Sequence, residues 1–266
     1  MQTTTFNSEP QLNPRDSSVS SATDTTTTKP TQLVLNPAEL RLIWASLDST
    51  QKREFLMRSE NFTAGAILDS LFWMWRATRT RDDQDQYRAY KPFPPKKYLN
   101  VLHNLWLREP FLFIEKSRTM MCSWWAAAET THYIQTHQPA KAIYWAQDED
   151  RSLGLLNYSW TLYEQQTAAL RGLFPLDRAR ERQSYRQLEW KDGGQLLALP
   201  GKDPDKIRSE HPTIVVMDEA CFIENGGEAF DVAISSKVPR VLVISSAAPS
   251  WFRRVTKVAV PEALNV

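Results

Sequence analysis

The chain of 266 residues is poor in the side chains that cross-link proteins or hold structural metals. Its two cysteines, Cys122 and Cys221, cannot form a disulfide framework or a zinc site, so a reducing compartment is the default expectation. Among the four histidines, His132 and His137 stand five positions apart, which is a poor spacing for one helix face. A histidine metal cluster is therefore not expected.

An excess of charge of one sign is also missing, as are long apolar runs. Lys and Arg number 32 against 31 Asp and Glu, so a surface that attracts a polyanion must be local. No segment approaches the ~18 apolar residues of a membrane-spanning helix. The N-terminus lacks the basic start and apolar stretch of a secretory signal. We expect a soluble, intracellular protein with no membrane partner.

The composition changes along the chain in a way that predicts three regions. Residues 1–32 are rich in Ser and Thr and poor in large apolar side chains, which predicts a disordered tail. Residues 33–108 carry helical patterns and predict a small N-terminal helical subdomain, with Asn36 as an N-cap and Pro37 at the first helical position. Further helices are expected over 63–79 and 98–107, with a linker or surface loop over 76–97.

Residues 109–266 alternate short apolar runs with helical segments. Strands are expected over 111–115, 141–147, 213–217 and 240–245, and helices over 123–137, 148–170 and 228–235. A β-hairpin is expected around the Lys-Asp-Gly-Gly turn at 191–194. This alternation predicts an α/β domain with a mainly parallel central sheet flanked by helices.

Two adjacent acids, Asp218 and Glu219, end the apolar run TIVVM. In a nucleotide hydrolase the first acid of such a pair can hold Mg²⁺ and the second can polarise the attacking water. Ligands of open parallel sheets collect at the carboxyl ends of the strands, where these acids are expected. The plainer interpretation, a strand that ends in solvated acids, stays open.

The stretch FLFIEKSRTMMCSWW has the order strand, turn and helix start that a phosphate-binding loop requires. In the usual pattern, GxxxxGK[ST], glycines allow close backbone approach, lysine reaches the phosphates and the hydroxyl ligates Mg²⁺. Here Ser123 occupies the hydroxyl position, but Cys122 stands where the lysine is normal, and the lysine, Lys116, stands at the start. The window contains no glycine, so a strand–turn–helix without a ligand also stays open.

The two signals are joined by Ser245, Ser246 and Ala247 after the next apolar strand. Together they resemble the large terminase subunit of tailed bacteriophages, the motor that packages DNA. IEKSRTMMCSWW is similar to the family's variant phosphate loop K-S-R-x-M-[GM]-x-[ST]-W. LPGKDPDKIR and VVMDEACF are similar to the run into its acidic motif, and VLVISSAAPSWF to its coupling motif. The resemblance covers roughly residues 93–252 and implies a P-loop NTPase fold of the ASCE type.

The resemblance implies a role for each matching position. Glu219 would be the catalytic base, Ser123 and Asp218 would hold Mg²⁺, and Ser245, Ser246 and Ala247 would couple hydrolysis to movement. ATP would lie against the loop residues Lys116, Ser117, Arg118, Thr119, Met120, Met121, Cys122 and Ser123.

An arginine finger is also implied, because a guanidinium neutralises charge in the transition state. Arg208 is similar to the arginine that in this family reaches a neighbouring subunit's nucleotide, and Arg151 is a weaker alternative. The plainer interpretation of Arg208 is a surface ion pair with Asp205 or Glu210. Phe93 and Tyr98 are candidates to face adenine, although aromatic residues near helices more often belong to a core.

The partners implied are double-stranded DNA, further copies of the chain in a ring, a portal protein and a small terminase subunit, in the cytoplasm of the host. Candidate DNA contacts are the basic clusters within 76–81, 171–186 and 253–257. The acidic nuclease cluster that the resemblance implies does not follow the coupling motif, so no DNA cleavage is expected from this chain. A split gene, a truncated chain and a separate nuclease polypeptide all stay open.

The variant loop leaves a second interpretation open. Met121 stands where many relatives have glycine, so the backbone there must avoid positive φ or accept strain. If hydrolysis was lost with the glycines, the chain is a degenerate nucleotide-binding module for DNA docking or assembly. A soluble α/β domain of another kind is the third interpretation.

Overall fold

The computed structural model describes residues 37–259, apart from 83, 86, 138 and 178–184, and gives only the backbone of 257–259. The predicted tail over 1–32 and the predicted cap at Asn36 lie outside these residues. In the part of the chain so described, no helix is both long and apolar enough to cross a membrane.

The N-terminal region is helical, as predicted, but more broken. It contains α1 (Pro37–Ser46), α2 (Ser49–Met57), α3 (Phe62–Leu68), α4 (Ser70–Phe72) with a π-helical turn over Trp73–Ala77, and α5 (Lys97–Arg108). The single helix expected over 63–79 is wrong. Asp69 has an extended backbone and its carboxylate accepts from the Phe72 backbone N–H at 2.7 Å, so it caps a new helix start.

The segment predicted as a loop over 76–97 contains a two-stranded antiparallel ribbon. Its strands are β1 (Arg79–Arg81) and β2 (Tyr90–Pro92). Each strand has only three residues, so the alternation that identifies a strand in a sequence is too short to detect.

A six-stranded sheet forms the centre of the α/β region, as predicted. Its strands are β3 (Phe111–Lys116), β4 (Lys141–Ala146), β5 (Gln187–Glu189), β6 (Gln195–Pro200), β7 (Ile214–Asp218) and β8 (Arg240–Ser246). Their spatial order is β3-β8-β7-β4-β6-β5, and only the β5–β6 pair is antiparallel. That pair is the predicted hairpin.

Helices connect the strands and cover both faces of the sheet. They are α6 (Cys122–Thr136), α7 (Glu149–Glu164), α8 (Ala168–Leu173), α9 (Asp205–Glu210), α10 (Gly226–Ser235) and α11 (Trp251–Ala259), with a 3₁₀ turn at Ala220–Phe222. The single helix expected over 148–170 is wrong. It breaks before the buried Gln166, whose side-chain oxygen accepts from Trp73 Nε1 at 3.0 Å.

The central strands are buried on both sides because alternate residues enter two different cores. Tyr144, Val216 and Leu242 face one cluster, together with Trp125 of α6 and Trp73 of the N-terminal region. The other cluster contains the alternate strand residues and the apolar faces of α10 and α11: Trp145, Val215, Met217, Val243, Ala233 and Phe252. The strands therefore read as continuous apolar runs.

A buried polar cluster also links the N-terminal helices to α6. Ser70 Oγ donates to Glu129 Oε2 at 2.6 Å, and His103 Nδ1 lies 2.8 Å from Glu129 Oε1. Burial alone would lower the pKa of His103, but the Glu129 carboxylate outweighs it and raises the pKa above its usual value. The N-terminal helices thus share polar contacts as well as a core with α6, and the division at residue 108 stays a prediction.

Candidate nucleotide site

Three strand ends that the sequence analysis singled out lie side by side in the sheet. β8 lies between β3 and β7, and its register pairs Ser246 with Lys116 and Ile244 with Asp218. A cavity of about 490 Å³ opens at these carboxyl ends. Its lining includes Lys116, Arg118, Thr119, Ser123, Ala146, Arg151, Gly154, Leu155, Tyr158, Asp218, Glu219, Phe222 and Ser246.

Glu219 is held by an ion pair and by hydrogen bonds from the neighbouring strand. Lys116 Nζ lies 2.7 Å from Glu219 Oε1, and the lysine side chain is only 8% exposed. Ser246 donates to Glu219 Oε2 from its hydroxyl at 3.0 Å and from its backbone N–H at 3.3 Å. Burial alone would raise the pKa of Glu219, but these partners outweigh it and hold the pKa below its usual value.

Asp218 has the opposite electrostatic balance. Burial raises the pKa of Asp218 above its usual value, against the hydrogen bond from Ser123 and the charge of Lys116. Its Oδ1 also accepts from the backbone N–H of Glu219 at 3.0 Å. Adjacent acids thus have environments that push their pKa values apart, which is a common feature of sites that assign different roles to two carboxylates.

The loop between β3 and α6 contains no glycine, yet two of its residues have left-handed backbone conformations. Thr119 has φ of 65° and Met121 has φ of 51°, and each left-handed non-glycine residue costs about 1–2 kcal/mol. Met121 is the N-cap of α6, and its side chain makes no capping hydrogen bond. The sequence left two options for Met121, to avoid positive φ or to accept strain. Its φ of 51° shows that the backbone is strained.

The turn after Glu219 is hydrogen-bonded to β8 and to α11. Glu219 itself has φ of 48°, and the next backbone groups are both engaged. Cys221 N–H donates to the buried Ser245 Oγ at 2.9 Å, and Trp251 Nε1 of α11 donates to the Ala220 carbonyl at 2.9 Å. The position of Glu219 therefore depends on β8 and α11 as well as on its own strand.

The predicted loop residues divide into two groups. Lys116, Arg118, Thr119 and Ser123 line the cavity, whereas the other four, Ser117, Met120, Met121 and Cys122, lie outside its lining. Cys122, at the usual lysine position, is 1% exposed, and burial raises the pKa of its thiol. In the coupling motif, Ser246 contacts Glu219, Ser245 contacts the turn after it, and Ala247 is exposed.

The two candidate arginine fingers lie in different places. Arg151, near the start of α7, lines the cavity of its own chain. Arg208 lies in α9, its side chain is 61% exposed, and its Nη1 is 3.6 Å from Asp205 Oδ1. That contact is one of the two ion pairs considered for Arg208, and the finger stays a prediction.

Neither aromatic candidate for adenine recognition lines the cavity. Phe93 is 1% exposed, so its ring is enclosed in the core and presents no face to a base. The Tyr98 hydroxyl instead donates to the Met120 carbonyl at 2.8 Å.

One wall of the cavity was not predicted from the sequence. Leu155 and Tyr158 of α7 line it, and the Tyr158 ring stacks on Trp124 with centroids 4.2 Å apart. Phe222, after the acidic pair, lines it too. The available signal was positional, because a helix that follows a parallel strand begins at the carboxyl edge where ligands bind.

The donor set at the strand ends suits Mg²⁺ bound together with a phosphate. Across the described ranges, no group of three or more His, Cys, Asp or Glu side chains could hold a metal by itself. Mg²⁺ usually takes one or two protein oxygens and completes its shell with waters and substrate phosphates. The neighbouring oxygens of Asp218 and Ser123 fit that requirement.

No protein-family model and no curated protein matches the chain. Among solved structures, it is similar to the large terminase ATPase domain of Thermus phage P74-26, with 15% identity, coverage of 61% of this chain and 69% of that chain, and a TM-score of 0.47. It is also similar to the HK97 bacteriophage large terminase, with 11% identity, coverage of 66% of this chain and 36% of that one, and a TM-score of 0.50.

The HK97 likeness shows the fold: a mainly parallel sheet flanked by helices, as in a phage large terminase. The matched part spans about a third of the HK97 chain, 36% of its length.

Proposed function

We propose that the chain is an ATPase of the large-terminase type that hydrolyses ATP to move double-stranded DNA into a prohead. The observation that carries the proposal is the meeting of Lys116, Ser123, Asp218 and Glu219 around one cavity, with Ser246 of the coupling motif bonded to Glu219. The fold shared with a phage large terminase supports it.

In the proposed reaction, the phosphates of ATP lie at the start of α6, where backbone N–H groups and the helix dipole favour anions. Lys116 exchanges its ion pair with Glu219 for the phosphates, which frees the carboxylate to orient and deprotonate the attacking water. Before ATP binds, Lys116 and Ser246 hold the pKa of Glu219 below its ordinary value, so the residue is already the carboxylate that a base must be. Ser123 and Asp218 would hold Mg²⁺, which neutralises phosphate charge.

Arginine and apolar side chains complete the proposed site. Arg118 and Arg151 line the cavity and can neutralise charge from within the chain, while Arg208, exposed on α9, would act on a neighbouring subunit's nucleotide. Leu155, Tyr158 and Phe222 provide an apolar wall for the base or ribose of ATP.

Coupling to DNA would pass through β8. Ser246 bonds directly to Glu219 and Ser245 to the turn after it, so a change in Glu219 on hydrolysis would reach β8 through these bonds and α11 through the Trp251–Ala220 bond. Arg253 and Arg254 of α11 are exposed and are available to DNA phosphates. Binding through phosphates should weaken steeply as salt increases.

The test is ATP hydrolysis by wild type and Glu219→Gln, with and without double-stranded DNA. We expect hydrolysis to fall at least about 100-fold in Glu219→Gln because the general base is lost, while ATP binding measured by calorimetry is retained. Glu224→Gln is the matched control, since Glu224 is exposed five positions later in the chain. Equal rates for wild type and Glu219→Gln would exclude the proposal. ATP binding without turnover by wild type would indicate the degenerate module instead.

A further inference from the structure

The loop between β3 and α6 contains two residues with left-handed backbone. Thr119 and Met121 are both left-handed, and neither is glycine. Met120 stands between them, so its backbone carbonyl belongs to the most strained part of the loop. A loop of this kind relaxes unless a contact from outside holds it.

Tyr98 supplies such a contact from the N-terminal helices. It lies at the start of α5, and its hydroxyl donates to the Met120 carbonyl at 2.8 Å. The Tyr98 and Met120 side chains are partly buried and pack against the same apolar cluster, so the hydrogen bond is partly shielded from water. Within the described part of the chain, the other side-chain donor to this carbonyl is the weak thiol of Cys122, at 3.6 Å.

We propose that Tyr98 is a positioning residue that holds the glycine-free loop in its nucleotide-binding conformation. The inference rests on the proposed function, since it concerns the loop that would bind ATP. Lys116 at the end of β3 and Ser123 at the start of α6 line the same cavity, and the loop sets their separation. Burial raises the pKa of Tyr98, so the hydroxyl stays protonated and able to donate at neutral pH.

The affinity for ATP should depend on Tyr98 through the fraction of molecules whose loop is in place. An apparent dissociation constant rises in inverse proportion to that fraction. Tyr98→Phe removes only the hydroxyl, and losing one such hydrogen bond should raise the Kd for ATP·Mg²⁺ roughly three- to tenfold. Met121→Gly relieves the left-handed strain, so it should restore most of the affinity of the Tyr98→Phe variant.

The experiment is calorimetric titration of wild type, Tyr98→Phe, Met121→Gly and the double variant with ATP·Mg²⁺. Tyr163→Phe is the control, because the Tyr163 hydroxyl also donates to a backbone carbonyl, that of Phe174 at 3.1 Å, away from the loop, and in addition accepts from the Leu176 N–H at 3.2 Å. Weaker binding by Tyr98→Phe alone, rescued in the double variant, supports the proposal. Unchanged binding by Tyr98→Phe, or equal losses in Tyr98→Phe and Tyr163→Phe, overturns it.

A second measurement separates this inference from the proposed function. If wild type does not bind ATP, the proposed function fails, but hydrogen exchange in the nucleotide-free chain still tests the contact. Amides of residues 117–121 should exchange faster in Tyr98→Phe than in wild type and Tyr163→Phe, because the loop opens more often. Equal exchange in all three proteins overturns the role of Tyr98 whatever the chain binds.

Discussion

At the scale of single residues, Lys116 is the side chain on which the site depends most. It lies at the end of β3 and is paired with Glu219, which is 103 positions away in the sequence. The pair joins the residue proposed to bind phosphate to the residue proposed to activate water. A substrate phosphate that binds Lys116 in place of Glu219 would therefore also remove the ion pair that lowers the pKa of Glu219.

Replacing Lys116 by Met should destabilise the fold in a way that depends on pH. The pKa of Glu219 lies below its ordinary value of 4.5, so the pair's contribution is present above about pH 4.5 and lost as pH falls through the lower, folded-state pKa. Near neutral pH we expect a loss of about 1–3 kcal/mol, between the values for exposed and buried pairs. Urea unfolding across this pH range measures it.

The control for this prediction is Lys141→Met. Lys141 pairs with Glu210 at 2.9 Å, but both side chains are about a third exposed, at 29% and 38%. Its loss should be smaller, because exposed pairs contribute less than about 1 kcal/mol. A Lys116→Met deficit that stays constant from neutral to acid pH would show that Lys116 does not control the ionisation of Glu219.

At the scale of elements, the packing of α11 against α10 positions the turn after Glu219. Trp251 packs over the first residues of α10 while its Nε1 donates to the Ala220 carbonyl. The approach is so close that a Cβ at Gly226 would lie 2.3 Å from Trp251 Nε1. Glycine at this position is required by packing, since only a residue without a side chain admits the indole.

Gly226→Ala should therefore lower the stability of the chain and displace Trp251 from the turn. Overpacking of a tight contact costs about 1–3 kcal/mol, and loss of the Ala220 contact should also slow the proposed ATP hydrolysis. Gly227→Ala is the matched control, because a Cβ there would meet Trp251 at an ordinary 3.6 Å. Thermal unfolding should show Gly227→Ala within about 1 kcal/mol of wild type. Similar losses in both variants would contradict the packing argument.

At the scale of the whole molecule, charge and exposure limit how the chain can meet its partners. With 32 basic and 31 acidic residues there is no overall field to draw in DNA, so the DNA contacts that the proposed function requires must come from local clusters. Of the basic clusters predicted, that of 171–186 lies partly outside the described residues. Arg208 is 61% exposed and its Nη1 lies 3.6 Å from Asp205 Oδ1, so its guanidinium is accessible to a neighbouring subunit of the proposed ring.

Mixing two inactive variants should restore ATP hydrolysis if Arg208 acts across a subunit interface. Arg208→Ala keeps Glu219, and Glu219→Gln keeps Arg208, so one kind of interface in a mixed ring is complete. With equal amounts and random assembly, about a quarter of the interfaces should be active. Steady-state hydrolysis by the mixture, compared with each variant alone, measures this.

The same mixing experiment made with Arg151→Ala in place of Arg208→Ala is the control. Arg151 lines the cavity of its own chain, so its loss should not be complemented by Glu219→Gln. Recovery with Arg151→Ala, and none with Arg208→Ala, would assign the finger to α7 instead of α9.

The sequence by itself determined the class of the fold and the residues at the strand ends. Short, continuous apolar segments alternate with helical segments along the chain. This alternation predicts a mainly parallel sheet with both faces covered by helices. The acids after TIVVM and the lysine after FLFIE then had to lie at one edge, because parallel strands share their direction. These predictions depend on local pattern, which a single sequence contains.

Tertiary structure alone decided how those residues meet. The insertion of β8 between β3 and β7 places Ser246 beside Lys116, and no local pattern specifies strand order. The Lys116–Glu219 pair and the Tyr98–Met120 hydrogen bond join segments distant in sequence, and the left-handed Met121 follows directly after Met120. The ion pair and the hydrogen bond depend on contacts between elements, and if Tyr98 positions the loop as proposed, such a contact also offsets the strain of Met121 in a loop without glycine.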